Sequence, residues 1–323
     1  MSIDYPHQSP LILHAICLGP EVLEVRTRNA TGRVIALLRN AIYLESDDGR
    51  IISIVDGKID GPLTLRVANT KPLLARLKAY PCETFQATED ALRIEGAAQI
   101  AWAHSPHWTP HLPERIGTPT SQLDAVNVLA EAITEADRLE GLGPLVAHIV
   151  GARHAVPPPQ CTHLDALTAR ALATLNRARE AAATCNYAKV GAALNDLIGL
   201  GPGLTPSGDD VVAGIVAALV WQARIGYVPA ELTRQVVEIV HEAAPARTNR
   251  ISARLLWHAC EGVLYAPAMG LVEALLSGDT AATLACSRRL FSIGHTTGVD
   301  LSIGLLTGML LGIGTQDGYN VGK

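Results

Sequence analysis

Gly199-Leu-Gly-Pro-Gly-Leu-Thr-Pro-Ser-Gly-Asp-Asp210 runs directly into Val211-Val-Ala-Gly-Ile-Val-Ala-Ala-Leu-Val-Trp221, and this junction decides how the chain is read. Three glycines alternate with other residues, and then Thr205-Pro206 opens a helix. Thr205 is the expected N-cap, because its hydroxyl can accept a free backbone N–H of the first turn. Pro206 suits the first helical position, where a missing N–H is harmless. The segment behind it is apolar on nearly every side, which predicts a helix buried in protein. A flexible loop thus feeds the positive end of a buried helix, with Asp209 and Asp210 in its first turn. Such a terminus favours an anion or a polarised carbonyl oxygen.

A partial internal echo extends the pattern. Ser207-Gly-Asp-Asp-Val-Val-Ala-Gly-Ile215 matches Thr297-Gly-Val-Asp-Leu-Ser-Ile-Gly-Leu305. Both read hydroxyl, Gly, any, Asp, apolar, any, any, Gly, apolar, and each follows a glycine-containing loop (Gly203, Gly294). Gly214 and Gly304 would let the two helices approach closely, with both N-termini facing one cavity. The competing reading is two capped helices with small residues at a packing seam. A shorter echo, Gly141-Leu-Gly-Pro144 against Gly199-Leu-Gly-Pro202, is short enough to arise by chance.

The rest of the chain supplies the setting. With 323 residues there is room for two domains, and 48% hydrophobic with 18% charged residues is a globular composition. A net charge of -5 gives no reason to expect nucleic acid or an acidic membrane. The six cysteines are scattered without a C-x-x-C pair, which reads as reduced thiols in a cytoplasmic protein. The N-terminus lacks the pattern of a signal peptide. The longest apolar runs, 211–221 and 301–313, fall short of the ~20 residues a membrane span needs.

The fold expected is α+β. Residues 1–115 form a β-rich domain, a small antiparallel barrel or sandwich, and residues 116–323 form a mainly α-helical domain carrying the glycine-rich loop. Strands are expected at 11–17, 22–26, 42–45, 51–55, 63–67, 83–87 and 91–95. Ser46-Asp-Asp-Gly49 marks a hairpin, and Pro72–Ala79 a short helix. Prolines at 106, 110, 113 and 119 mark a connector, and Pro157-Pro-Pro159 a second one. Ser121 with Asp124 resembles a capping box. Helices are expected at about 164–180, 187–198, 230–243, 250–262, 268–276, 280–291 and 298–313.

Several residue sets carry chemistry. The glycine loop is not a P-loop, because Asp209-Asp210 rather than Lys-Ser/Thr follows Gly208. Its backbone at Gly201, Gly203 and Gly208, with Thr205 and Ser207, can approach a small oxyanion. The carboxylates can orient an amide, hold a cation or act as a base, or they merely complement the helix dipole. Asp300 interrupts an apolar run and needs a partner if buried. His295 can donate to an oxyanion or relay a proton, or it is a capping histidine. Thr297 and Gly298 open the second helix. Thr248 or Asn249 caps a third helix and leaves Arg247, Arg250 or Arg254 to grip a carboxylate or phosphate. Surface ion pairs are the plain alternative for those arginines. His104, His107 and His111 have a spacing open to metal, but prolines break it and no Cys or carboxylate joins them, so it reads as a polar connector.

In this order, Gly199–Asp210, Thr248–Ser252 and Gly294–Asp300 behind a β-rich front half resemble the AllH-like family. Its namesake is a subunit of oxamate carbamoyltransferase in anaerobic allantoin breakdown. The resemblance implies reversible carbamoyl transfer: oxalurate plus phosphate giving oxamate and carbamoyl phosphate. No cofactor and no metal are expected. It also implies partner subunits, one of them similar to an acyl-CoA synthetase. It carries over no residue roles, but the residues suit the chemistry. Backbone N–H groups at a helix start can hold the tetrahedral oxyanion. Arg250 or Arg247 suits the substrate carboxylate, Asp210 and Asp300 its amide nitrogens, and His295 the leaving nitrogen. Two other readings stand beside this one: a non-catalytic subunit whose loop docks a partner, and a metal-assisted amidohydrolase using Asp209 and Asp210.

Overall fold

The computed structural model describes residues 9–110, 113, 115–136, 140–153 and 164–319. The chain divides after Pro110 into two compact units. The first contains β1 (Leu11–Leu18), α1 (Pro20–Thr27), β2 (Thr31–Leu37), β3 (Ala41–Ser46), β4 (Ile51–Val55), β5 (Thr64–Val67), α2 (Lys71–Ala79), β6 (Thr84–Ala87), β7 (Ala91–Ile94) and β8 (Ala98–Ala101). Its strands close into a barrel in the order β1-β5-β4-β3-β2-β6-β7-β8. Leu44, Ile54, Leu65, Phe85, Leu92 and Ile100 belong to its hydrocarbon core. Along β1 Leu11, Leu13 and Ala15 pack against that core, and Leu18 joins it after a register shift between Ala15 and Cys17, while Ile12 and Ile16 stay exposed.

The expectation of a small antiparallel barrel or sandwich is corrected here. The sheet is closed and mixed: β1 runs parallel to β8, and β4 parallel to β5. Parallel neighbours need a crossover rather than a hairpin. Between β4 and β5 it is the loop through Asp56-Gly57 and Asp60-Gly-Pro62, while β1 and β8 meet only on closure. A second correction concerns 22–26, expected as a strand and found inside α1. Val22 and Val25 are buried three residues apart on one helical face, and Pro20 with Glu21 in the first turn marks the start. β2 and β8 were not expected; the first carries Gly32 and the second is half alanine. The hairpin expected at Ser46–Gly49 joins β3 to β4, with Gly49 at φ +82°.

The second unit is helical: α3 (Pro119–Thr134), α4 (Val146–Arg153), α5 (Ala166–Ala183), α6 (Tyr187–Asn195), α7 (Ser207–Arg224), α8 (Ala230–Arg247), α9 (Arg250–Cys260), α10 (Ala266–Ser277), α11 (Thr280–Phe291) and α12 (Thr297–Tyr319). A 3₁₀ turn, Gly143–Leu145, precedes α4. α7 is buried from Ser207 to Gln222, as its all-round apolar sequence requires. The cap of α3 is Thr118, whose hydroxyl accepts the Ser121 N–H at 3.2 Å, so the expected box at Ser121 and Asp124 is displaced. Pro157–Pro159, Cys161 and His111 lie outside the described residues. No described helix is long and apolar enough to cross a membrane.

Candidate functional site

α7 and α12 lie side by side and parallel. A Cβ on Gly214 would stand 2.5 Å from the Leu301 carbonyl oxygen, and one on Gly304 would stand 2.3 Å from that of Val211. Further along, Gly308 meets Ile215 and Ala218. Contact positions rise together along both helices, which fixes their common direction. Parallel packing brings two positive helix ends together, a repulsion that a carboxylate near each start offsets.

The two starts are built on one plan. Ser207 and Thr297 open the helices, and Asp210 and Asp300 stand three residues in. Each carboxylate turns to the other helix: the Ser207 hydroxyl faces Asp300, and the Thr297 hydroxyl faces Asp210. The Thr205 hydroxyl joins the second contact and lies 3.1 Å from that of Thr297. Thr205 therefore serves the Asp210 carboxyl instead of capping α7, whose N-cap position is Pro206. Gly208 and Gly298 play matching packing roles, since a Cβ on either would strike a carbonyl oxygen, of Leu197 and of Leu290.

Asp300 is fully buried and Asp210 is 5% exposed. The Leu142 N–H donates to Asp300 Oδ1 at 2.7 Å. Oδ2 of Asp210 and Oδ2 of Asp300 have no hydrogen-bond partner among the described residues. Burial, and next the facing Asp300 carboxylate, hold Asp210 well above the usual carboxylate range. Burial also pushes Asp300 up to about 6, against the lowering effect of the Leu142 N–H and of the Ser207 and Thr296 hydroxyls.

Asp209, one residue away, is held differently. Its Oδ1 accepts the Gly199 N–H at 2.6 Å, and its Oδ2 accepts the hydroxyls of Thr248 at 2.5 Å and Ser252 at 2.6 Å. Burial raises its pKa, and these three donors offset part of the rise. Asn249 caps α9 through the N–H groups of Ile251 and Ser252, and its amide donates to the Leu204 carbonyl at 2.9 Å. Asp209, Thr248 and Asn249 thus bind the glycine loop to the start of α9. Gly201 packs against the Ser207 nitrogen, while Gly203 is exposed with open space about it.

Two expected participants are exposed, whereas the carboxylates are buried. Arg250 is exposed at the first position of α9. His295 is 71% exposed, with Nε2 at 2.5 Å from Glu140 Oε2. It stands at the rim of a cavity of about 660 Å³ whose lining includes Ala132, Leu284, Arg288, Phe291 and Val299. Sequence reasoning missed Glu140 and Leu142, and it included Ser252 and Thr296 in its motifs without giving them a role. The signal for Leu142 was the Gly-Leu-Gly-Pro echo: in both copies a backbone N–H of the motif, Leu142 or Gly199, donates to a buried aspartate. Among the described residues no group of three or more His, Cys, Asp and Glu side chains is placed to hold a metal ion.

Both helix starts fall inside a segment that can be compared with known families. The family model described as oxamate carbamoyltransferase subunit AllH matches residues 197–309. The AllH match covers about a third of the chain: the glycine loop, α7 to α11 and the buried part of α12. The barrel and the Glu140–Leu142 segment lie outside it. No curated protein and no solved structure matches the chain.

Proposed function

We propose that this chain is a subunit of an oxamate carbamoyltransferase, and that the Asp210–Asp300 pair moves the protons of carbamoyl transfer between oxalurate and phosphate. The observation that carries this reading is a buried carboxylate pair, each member with an unpartnered oxygen, set between two helix starts inside the AllH-matched segment.

The chemistry follows from the arrangement. A phosphate oxygen attacks the ureido carbon of oxalurate, and the carbon–nitrogen bond to the oxamate nitrogen breaks. The proton of hydrogen phosphate passes to one carboxylate, and the leaving nitrogen takes a proton from the other carboxyl. A dyad that shares one proton supplies both roles at once. The helix starts supply positive potential for the oxyanion that forms on the carbamoyl carbon. Both carboxyls are buried, so substrate reaches them by displacing the exposed part of the glycine loop around Gly203. The remaining subunits of the transferase, and binding of the oxamate carboxylate by Arg250 or Arg247, belong to the same proposal.

Thermal melts of the purified chain with oxamate, phosphate or carbamoyl phosphate test binding. A ligand at about 100 times its Kd stabilises by roughly 2.7 kcal/mol and raises the Tm by several degrees. In the assembled transferase, Asp210→Asn and Asp300→Asn should each abolish phosphate-dependent transfer while the fold persists. Full transfer by both variants would refute the role of the pair. The complete burial of Asp300 favours a second reading, in which the pair only fastens α7 to α12 and the chain is a non-catalytic subunit. That reading predicts unchanged melting with all three ligands.

A further inference from the structure

The two helix starts match, yet their carboxylates are not equivalent, because one element touches only one of them. Glu140, Gly141 and Leu142 form a strap over Asp300. Leu142 places its N–H on Asp300 Oδ1 at 2.7 Å. Gly141 has φ +64°, and a Cβ there would stand 2.6 and 2.8 Å from the two Asp300 oxygens. Glu140 ties the strap's outer end to His295, five residues before Asp300.

A backbone N–H can only donate, so the oxygen it touches must accept. The groups on Asp210 are hydroxyls, which donate or accept equally well. The carbonyl oxygen of a carboxylic acid also accepts an N–H, but a carboxylate oxygen accepts it more strongly, so the amide favours the ionised form of Asp300, whereas the Thr205 and Thr297 hydroxyls accommodate either form of Asp210. We propose that the strap breaks the symmetry of the pair, holding Asp300 as the ionised acceptor and leaving Asp210 to carry the shared proton. In the transfer reaction this makes Asp300 the base toward hydrogen phosphate and Asp210 the acid toward the leaving nitrogen. Leu142 and Gly141 are then positioning residues. This extension rests on the function proposed above for its catalytic meaning, but not for its titration order.

The groups facing the pair are few. Asp300 meets Asp210 and Ser207 from α7, Leu142 from the strap and Thr296 before α12. Asp210 meets Thr205 and Thr297, with Asp209 beside it on α7. Among the described residues, the ionisable groups at the strap itself are Glu140 and His295. Burial raises the affinity of both carboxyls for protons, and the facing Asp300 carboxylate raises that of Asp210 further.

The test is a carboxyl ¹³C titration of the full chain labelled at aspartate, with signals assigned from Asp210→Asn and Asp300→Asn. The lower of the two coupled steps should vanish in Asp300→Asn. Gly141→Ala, which pushes the strap off the carboxylate, should raise that step by about one pH unit or more. Glu140→Gln, at a half-exposed side chain, loosens the strap without touching the pair. It should speed exchange of the Leu142 amide and shift the same step upward by less. The idea is overturned if Asp210 accounts for the lower step, or if neither variant moves the Asp300 titration. If the order holds while both Asn variants keep full carbamoyl transfer, the strap stands and the proposed function falls.

Discussion

The barrel and the helical unit both bury carboxylates, but they neutralise them differently. In the barrel, Glu21 on α1 lies 3.5 Å from Arg50, and Glu45 on β3 lies 3.0 Å from Arg33. In the helical unit, no described Lys, Arg or His pairs with Asp209, Asp210 or Asp300. Those three meet N–H groups, hydroxyls and one another. A buried carboxylate beside arginine is a settled charge. One without a cation stays poised to take a proton, which is the usual mark of a reacting group. The contrast supports the helical unit as the place of the proposed chemistry, the barrel carboxylates being held beside arginines.

The largest expected effect attacks the seam that brings the cation-free pair together. In Gly304→Val the new Cβ would meet the Val211 carbonyl oxygen at 2.3 Å, and backbone cannot swing aside as a side chain can. Overpacking commonly costs about 1–3 kcal/mol, and this clash should exceed that range. Loss of the cooperative urea transition, or a midpoint far below wild type, is the expected result. An unchanged midpoint would mean that α7 and α12 do not touch here. On the barrel side, Arg50→Met should destabilise by about 3 kcal/mol, because the buried Glu21 carboxylate would lose the Arg50 guanidinium. A much smaller loss in the same melt would blur the distinction between the two units.

A pH experiment separates the two kinds of carboxylate directly. Asp300 takes up its proton near pH 6 in the folded chain, whereas an unfolded Asp does so near 3.9. Between about pH 4 and 6 the folded state therefore holds a proton that the unfolded state has released. Stability contributed by this group is full below that window and is lost as the pH rises through it. Asp300→Asn should flatten the slope and gain on the order of 2–3 kcal/mol over wild type at pH 7.5, with little difference at pH 4. Urea melts across this range provide the measurement. A variant that loses stability at pH 7.5 would show that the Asp300 charge is compensated after all.

How much of this was legible beforehand follows from the range of the interactions. The glycine loop, the buried helix behind it and the repeated hydroxyl-Gly-x-Asp pattern are local signals, and they pointed to residues that meet in space. The reciprocal exchange, Ser207 to Asp300 and Thr297 to Asp210, was not readable, because spacing does not say which helix an oxygen faces. Asp209 and Asp210 look alike in sequence. Only packing puts three donors on the first and leaves an oxygen of the second bare. Val22–Arg26 misled because Val and Leu suit a strand, while Pro20 and the i,i+3 pair at Val22 and Val25 specify a helix. The parallel closure of β1 on β8 joins distant segments and leaves no local trace.

The smallest effect tests whether Asp209 belongs with the arginine-paired carboxylates in kind. It has no cation, but it has three donors, so it should behave as a settled charge whose stability depends on each donor. Ser252→Ala removes the hydroxyl at 2.6 Å and leaves the Gly199 N–H and Thr248 in place. The loss should be about 1–2 kcal/mol at pH 7.5. It should shrink at low pH, because a missing donor matters less once the carboxyl is protonated. The Ser252 hydroxyl lowers the Asp209 pKa, so its removal lets burial raise that pKa further. Stability of the variant then falls more steeply than that of wild type as the pH rises from 4 to 7.5. Equal losses at the two ends would mean that Asp209 is already protonated in the wild-type fold, and the line drawn between it and Asp210 would have to be moved.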